Sequence, residues 1–597
     1  MIYLTKQIKV TICIIIKFCD INPSLKMTVI DKKTVAETLG KHISGLTSEE
    51  IETLIEIPPA EIEFTYAFPC FRLAKIKKKS PNLIAKDLKV KVEHTDFIEK
   101  IEATGPYLNL KIKPRYVLKN IFELKSDYGR IRDIIEKKKK VKERIVIEYP
   151  SPNSNKPLHF GHIRNMLLGK SLSNLLEYKG YKVFQVNLNN DRGIHICKSM
   201  LAYKKWGNNK DPDKKSDHYV GDFYVKFNEM AEKDEKLEEE AYELLRLWEA
   251  GDAETNALWQ KMNQWAFAGH KITYNTLGIS FEKEYYESDL YLRGKEKINE
   301  GVKRGIFEKT EDGAIIARLK EKYDLEDKIL VRRDGTAIYI TQDIYLAYKK
   351  KEDFNYDKSI YVVGDEQIQH FKWLFAILDL LGFKEDNYHL SYGMISLPEG
   401  KMKSREGTVV DADDIIEEVE KLAYYEVDKR YENISDNEKS RRAKIIGLSA
   451  LKFFILKYNP IKGFIFIPDE SISFEGETGP YIQYCYARIA SIILKSELKL
   501  SMDIDWNLLN HEKESNLIKQ LTYFPEIIDS AEKTYSIHLI PQYLLSLCQS
   551  FNSFYSSCQV ISEDKELEKA RLLLIKCVQI VIKIGLNILG IETLDQM

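Results

Sequence analysis

Hydrophobic and polar positions follow two different periods along this chain, and the changes between them mark its elements. Tyr107-Leu-Asn-Leu-Lys-Ile112 alternates at period two, as a strand with one buried face does. Ile30 to Leu46 instead carries helical spacing, so residues 28–125 mix short helices and strands. Arg144-Ile-Val-Ile-Glu-Tyr149 predicts a strand closed by Pro150. Ile163 to Tyr178 predicts a helix whose apolar positions are Ile163, Met166, Leu167, Leu172, Leu175 and Leu176. Lys179-Gly180 supplies its stop, and Lys182-Val-Phe-Gln-Val-Asn-Leu188 predicts the next strand. A strand–helix–strand unit of this kind implies a parallel sheet with ligands at the carboxyl ends of its strands. Alternation continues to about Ile416 and includes the apolar strand Ser359-Ile-Tyr-Val-Val363. Between them Asp222 to Glu254 is helical in pattern and carries 12 acidic against 4 basic residues, the mark of an inserted layer with a solvated face. Beyond Ile445 nearly every segment reads as helix, which predicts a separate bundle.

Length and charge sharpen this picture. At about 150 residues per domain, 597 residues imply roughly four folding units. A charged fraction of 30% and a hydrophobic fraction of 44% exclude wholesale disorder, collagen and a small disulfide scaffold. The net charge is −1, so a nucleic-acid partner must be held by local basic surfaces. Arg72 to Arg144 is such a region, with 22 basic against 10 acidic residues, including Lys75-Ile-Lys-Lys-Lys79 and Lys137-Lys-Lys-Lys140. Eight cysteines with no Cys-x-x-Cys pair give neither a zinc site nor a disulfide framework, and a reducing, cytosolic setting is expected. No apolar run approaches the ~20 residues of a membrane span. Val10 to Ile16 lacks a small-residue cleavage site and reads as part of a dispensable extension over residues 1–27, with Met27 as an alternative start.

Two short segments carry the chemistry. His159-Phe-Gly-His162 lies between the first strand and helix of the βαβ unit. Composition alone would produce two His and one Gly at this spacing about 0.01 times in such a chain. A helix N-terminus offers free N–H groups to an anion, Gly161 leaves room for a ligand, and two imidazoles can donate to phosphate oxygens. No third metal ligand is evident beside the pair. Gly400-Lys-Met-Lys-Ser-Arg-Glu-Gly407 is a glycine-bounded loop with three cations, suited to closing on a polyphosphate. It is not a Walker loop, because six residues rather than four separate Gly393 from Gly400-Lys401.

Together the two segments resemble the HIGH and KMSKS signatures of class I aminoacyl-tRNA synthetases. Glu148-Tyr-Pro-Ser-Pro-Asn-Ser-Asn-Lys-Pro-Leu-His159, Asp334-Gly-Thr-Ala-Ile-Tyr-Ile-Thr-Gln-Asp343 and Thr478-Gly-Pro-Tyr-Ile-Gln-Tyr484 narrow the resemblance to the arginyl-tRNA synthetases. Phe551-Asn-Ser-Phe-Tyr555 and Gly585-Leu-Asn-Ile-Leu-Gly590 are similar to that family's anticodon-binding domain. The resemblance runs from about residue 28 to the C-terminus.

It implies an α/β fold: a Rossmann-like parallel-sheet catalytic domain (126–425, with a helical insertion near 205–270), an α+β N-terminal domain (28–125) meeting the tRNA elbow, and an all-α anticodon-binding bundle (426–597). His159, Gly161 and His162, with Lys401, Met402, Lys403 and Ser404, would hold ATP. Ser151 and Asn153 would hold the amino-acid head group, and Glu287, Tyr339, Asp343 and Gln367 would line the arginine pocket. A guanidinium is bound strongly by planar, charge-assisted contacts to carboxylates, which Glu287 and Asp343 can supply. Aligned on Lys401-Met402, the second KMSKS lysine falls at Ser404. Lys156, Lys403 or Arg405 is left to replace it, and Lys156 stands where the family's substitute does.

The implied reaction is ATP-dependent activation of L-arginine, with Mg²⁺ on the phosphates, then transfer to the terminal adenosine of tRNA(Arg). Catalysis would be positioning and charge stabilisation by His159, His162, Lys156 and Lys401. The family usually requires bound tRNA before activation. Only 239 residues separate His162 from Lys401, too few for a large editing insertion. A pocket built for a guanidinium rejects other side chains by leaving its carboxylates unpaired. Tyr481, Tyr484, Tyr486, Phe551, Phe554 and Tyr555 are aromatic candidates for the anticodon, core packing being the commoner role for any one. A cysteine or glutamate synthetase and a tRNA-binding paralogue without turnover are the rival readings. A cytoplasmic location and a monomer are the default expectations.

Overall fold

The computed structural model describes residues 30–59, 62–92, 95–130, 143–336, 338–396, 398, 410–431 and 433–597. Val10–Ile16, Lys137–Lys140 and the loop residues Lys401, Met402, Lys403, Ser404 and Arg405 lie outside them. The chain forms two compact units, one ending at Leu124 and one running from Lys125 to Met597.

The first unit is built on an antiparallel sheet of Tyr66–Pro69 (β1), Ile98–Thr104 (β2) and Tyr107–Ile112 (β3), in the order β1-β3-β2. Leu108, Leu110 and Ile112 are buried and the residues between them half-buried, the alternation a one-sided sheet requires. Helical spacing over Ile30 to Leu46 yields a shorter helix, Lys32–Gly40, capped by Asp31. Ser44-Gly45 interrupts the run, and Thr47 with Glu50 forms a capping box that starts a new helix at Ser48.

In the second unit five strands form a wholly parallel sheet. They are Arg144–Glu148 (β4), Lys182–Asn189 (β5), Lys283–Tyr286 (β6), Lys358–Gly364 (β7) and Asp386–Tyr392 (β8), in the order β8-β7-β4-β5-β6. Strand order therefore reverses between β4 and β7, where an open α/β sheet leaves a crevice at its carboxyl edge. The helix after β4 spans Phe160–Tyr178, three residues earlier than its apolar spacing indicates, because His159 serves as its N-cap. It ends where Gly180 takes a left-handed turn at φ 89°. Asn165 locks this helix to the sheet by donating to the Val362 carbonyl at 2.7 Å and the Tyr392 hydroxyl at 3.1 Å.

The inserted layer comprises helices Ile194–Trp206, Ser216–Ala231, Lys236–Glu249 and Ala253–Leu277. Its acidic face is solvated, while Met200, Phe223, Phe227, Leu244 and Met262 give it a core of its own. From Asp436 onward the chain is almost entirely helical and ends in the long helix Lys565–Ile588. The six described cysteines, Cys70, Cys197, Cys485, Cys548, Cys558 and Cys577, are all buried thiols. No helix among the described residues is long and apolar enough to cross a membrane.

Candidate active site

The two HIGH-like histidines sit in the crevice where the strand order reverses. The His159 N–H donates to Nδ1 of His162 at 3.0 Å, which leaves the His162 proton on Nε2. The two rings lie 3.7 Å apart, centroid to centroid. Burial, with Lys156 nearby, pushes the His159 imidazole down to about 4 and His162 well below its usual range. Both rings are thus neutral near pH 7 and present N–H donors without charge of their own. A Cβ on Gly161 would stand 3.0 Å from Cε1 and 3.1 Å from Nδ1 of His159, so only glycine leaves that ring its place.

Two backbone bonds bring the segment that re-enters after residue 409 to the same spot. Phe160 N–H donates to the Val410 carbonyl at 2.8 Å and Ala412 N–H to the Leu158 carbonyl at 2.9 Å. Lys401, Met402, Lys403 and Ser404 lie outside the described residues. Lys156 is half-buried, and its carbonyl accepts from Nε2 of His270 at 3.0 Å.

Beyond the histidines the strand ends gather the other expected residues. Ser151, at φ 57°, accepts at its carbonyl from Asn190 and donates its N–H to Asn187. Asn153 pairs with Asn190 through a parallel bridge and is exposed. Next to Asn190, Asp191 accepts from Ser288 N–H at 2.9 Å and Ser288 Oγ at 2.7 Å, which ties the end of β5 to the start of helix Glu287–Lys303. Glu287 is only 5% exposed. Burial pushes its carboxyl up to about 7, opposed by Arg192 and by a hydrogen bond from Gln342. Asp343 lies in the first turn of helix Ile340–Phe354 and pairs with His370 Nε2 at 2.7 Å. Its charge also acts on Glu287, raising that carboxyl as the nearby Asp191 does.

Tyr339 caps the helix that carries Asp343 and is 76% exposed. Gln367, also exposed, closes the 3₁₀ turn Asp365–Gln367 after β7, one turn before His370. The order of these stations along the chain, carried on a βαβ sheet with a histidine pair at its crevice, is matched over most of the chain by three family models. They are "tRNA synthetases class I (R), catalytic domain" over residues 130–467, "DALR anticodon binding domain" over 482–597 and "Arginyl tRNA synthetase N terminal domain" over 32–112. The chain belongs to the arginyl-tRNA synthetase family.

Its relatives agree. The arginine–tRNA ligase of Treponema denticola is 41% identical over 593 residues, covering 95% of this chain and 99% of the relative. That of Borrelia hermsii is 42% identical over 590 residues, with coverages of 95% and 99%. The solved arginyl-tRNA synthetase of Thermus thermophilus shares the fold, with a TM-score of 0.81 at 24% identity over 95% of this chain and all of that one.

Several side chains around the candidate site of this arginyl-tRNA synthetase family member carry no signal in the sequence. His270 and His370 stand in ordinary helical patterns, and Arg192 and Gln342 in polar stretches. Only the fold brings His270 to the Lys156 carbonyl, His370 to Asp343, and Arg192 and Gln342 to Glu287. Asp217, His218 and Asp413 form a further set of potential metal ligands. Lys215 already bridges Asp217 at 2.7 Å and Asp413 at 2.8 Å, so an internal cation compensates this cluster. It does not fit a resident magnesium ion.

A cavity of about 820 Å³ lies elsewhere in the second unit, lined among others by Arg430, Phe474, Tyr484, Arg488 and Met597. Arg488 donates to the Tyr484 hydroxyl at 2.8 Å and lies over the Tyr484 and Tyr555 rings. Of the other aromatic candidates, Tyr486, Phe551 and Phe554 are core residues, and Tyr481 accepts from Asn552.

Proposed function

We propose that this arginine–tRNA ligase carries out both of its chemical steps at the crevice between β4 and β7, with residue roles as follows. ATP lies over Gly161, its phosphates receiving hydrogen bonds from neutral His159 and His162. Lys156 and the Lys401-Met402-Lys403-Ser404 loop supply the positive charge. Ser151 and Asn153 hold the α-amino and carboxylate groups of arginine, and Glu287 and Asp343 take its guanidinium beside Tyr339 and Gln367. The arginine carboxylate oxygen attacks the α-phosphorus, the bond to the β-phosphate oxygen breaks, and pyrophosphate leaves. The 2′-hydroxyl of the terminal adenosine then attacks the adenylate carbonyl, AMP departs, and the hydroxyl proton passes to the released phosphate or to water. No side chain forms a covalent intermediate, so catalysis is orientation and charge stabilisation. Mg²⁺ enters on the ATP phosphates as part of that substrate.

What supports this reading is the buried Glu287 carboxyl at the start of its helix, with the charge of Asp343 acting on it, together with the two neutral imidazoles paired at the N-terminus of the helix after β4. The domain assignment follows the same logic: residues 28–125 for the tRNA elbow, 126–425 for chemistry and 426–597 for the anticodon. The arginine- and aromatic-lined cavity suits unstacked bases. We place the enzyme in the cytoplasm, as a monomer.

The test is tRNA charging with each of the twenty amino acids offered separately with ATP, Mg²⁺ and total tRNA. Charging with arginine alone is expected. Asp343→Asn should cut kcat/KM for arginine about 30- to 150-fold, the equivalent of roughly 2–3 kcal/mol for one charged hydrogen bond. Its tRNA binding should be unchanged. Unaltered charging kinetics in this variant would remove Asp343 from the pocket.

A further inference from the structure

Arg192 lies just beyond β5, in the turn that leads into the inserted helical layer. Its guanidinium is held between two helices, Lys236–Glu249 and Glu287–Lys303. Nη2 donates to Oε1 of Glu249 at 2.9 Å, on helix Lys236–Glu249. The guanidinium carbon stands 4.0 Å from the Tyr291 ring centroid and 5.7 Å from that of Trp248. Nη1 stands 3.8 Å from Oε1 of Glu287, within ion-pair range and beyond hydrogen-bond range.

That difference in distance is the informative feature. Arg192 spends its hydrogen bond on Glu249, whose side chain is 46% exposed, and gives Glu287 charge without occupying its oxygens. Among the described residues no other cation forms an ion pair with Glu287. The groups facing Glu287 are Arg192, the Gln342 amide, and the carboxylates of Asp191 and Asp343. Asp343 is itself paired with His370 and Asp191 with Ser288. A buried acid among two other acids takes up a proton unless a cation is near, and a protonated carboxyl binds a guanidinium poorly.

We propose that Arg192 is a positioning residue for arginine selection, its guanidinium over the Tyr291 ring favouring the charged form of the Glu287 carboxylate without itself taking a hydrogen-bonding place that the substrate guanidinium needs. An internal guanidinium thus prepares the site for an external one. The proposal rests on the placement of Glu287 in the arginine pocket.

The experiment follows the KM for arginine in tRNA charging from pH 6 to 9, with KM for ATP measured alongside. In the unaltered enzyme, arginine affinity should rise with pH through an inflection near 7, where Glu287 ionises. Glu287→Gln should raise the arginine KM and abolish that inflection. Arg192→Met keeps the apolar stem over Tyr291 and should move the inflection up by about one pH unit, a tenfold loss of arginine affinity on the acid side. Its KM for ATP should not change. Arg192→Lys restores the charge and should bring the inflection back toward its original position.

If Glu287→Gln leaves the arginine KM unaltered, the pocket assignment itself fails. If Glu287→Gln acts as expected but the inflection in Arg192→Met stays in place, the pocket stands and the role given to Arg192 is overturned. Equal rises in both KM values with an unmoved inflection would likewise make Arg192 merely structural. Should Arg192→Met not fold, Glu249→Gln provides the opposite displacement. With its competing carboxylate gone, Arg192 acts more fully on Glu287 and the inflection moves down. An unmoved inflection in that variant overturns the proposal.

Discussion

A methyl group at position 161 would press on the His159 ring, and the consequence is confined to that ring. Closing a 3.0 Å approach requires a shift of an imidazole already packed against His162. Overpacking of this kind costs roughly 1–3 kcal/mol, an upper bound on what ATP binding loses, so Gly161→Ala should raise the KM for ATP by up to about 150-fold with little change in the KM for arginine. Steady-state charging kinetics will separate the two. The His159–His162 pair was legible in the sequence because its spacing is improbable and because it falls at a strand-to-helix junction. Its neutrality was not, since that comes from packing contributed by distant segments. Glu287 shows the same limit. Within Tyr285-Tyr-Glu-Ser-Asp289 a solvated loop acid and a buried acid look alike in sequence, and only the fold shows Glu287 buried at a helix start. His270 had no local pattern at all, because its partner is a main-chain carbonyl of the Lys156 loop.

At the scale of elements, the catalytic sheet is secured by an ion pair that hydrophobic patterning does not reveal. Lys350 is fully buried on helix Ile340–Phe354, with its Nζ 2.8 Å from Glu148 at the end of β4 and 3.0 Å from Ser359 Oγ on β7. The ammonium also faces the Tyr361 ring at 3.9 Å. Removing one partner of such a pair leaves the other charge buried and alone, at a cost of about 3–5 kcal/mol. Lys350→Met should therefore lower the thermal midpoint of the catalytic domain sharply, and adding Glu148→Gln should recover part of the loss; calorimetry on both variants checks this. The strands themselves were readable where both faces are buried, as the apolar runs at Ile145–Ile147 and Ile360–Val363 illustrate. Lys-Glu-Tyr-Tyr of β6 has no such run, and its place at the sheet edge follows from pairing with β5 rather than from its own composition.

For the molecule as a whole, chemistry and anticodon reading occupy separate places within one unit, and the two can be impaired separately. Tyr484 lines the 820 Å³ cavity beside Arg488, on the helix that opens with Thr478 as its N-cap. Loss of one stacking platform for a base is worth roughly 1–3 kcal/mol, so Tyr484→Ala should raise the KM for tRNA about 5- to 150-fold. The KM for arginine should stay where it is, a comparison made directly by charging assays at varied tRNA. From the sequence, the helical tail was plain, yet which of its aromatic residues lie outside the core was not. Phe551 and Phe554 share the helical spacing that fills a core, and only packing separates them from Tyr484 and Tyr555. Burial of the cysteine thiols has a consequence of another kind. Cys70 is pushed up to about 11 and Cys197 to about 12, so neither supplies appreciable thiolate at neutral pH. Among the described residues one lies in the N-terminal unit, one in the inserted layer and four in the C-terminal region, three of them on helices and Cys558 just past one. An alkylating reagent can therefore reach each region only when that region opens, and the speed at which each cysteine is marked is a clock for local unfolding, already distributed along the chain.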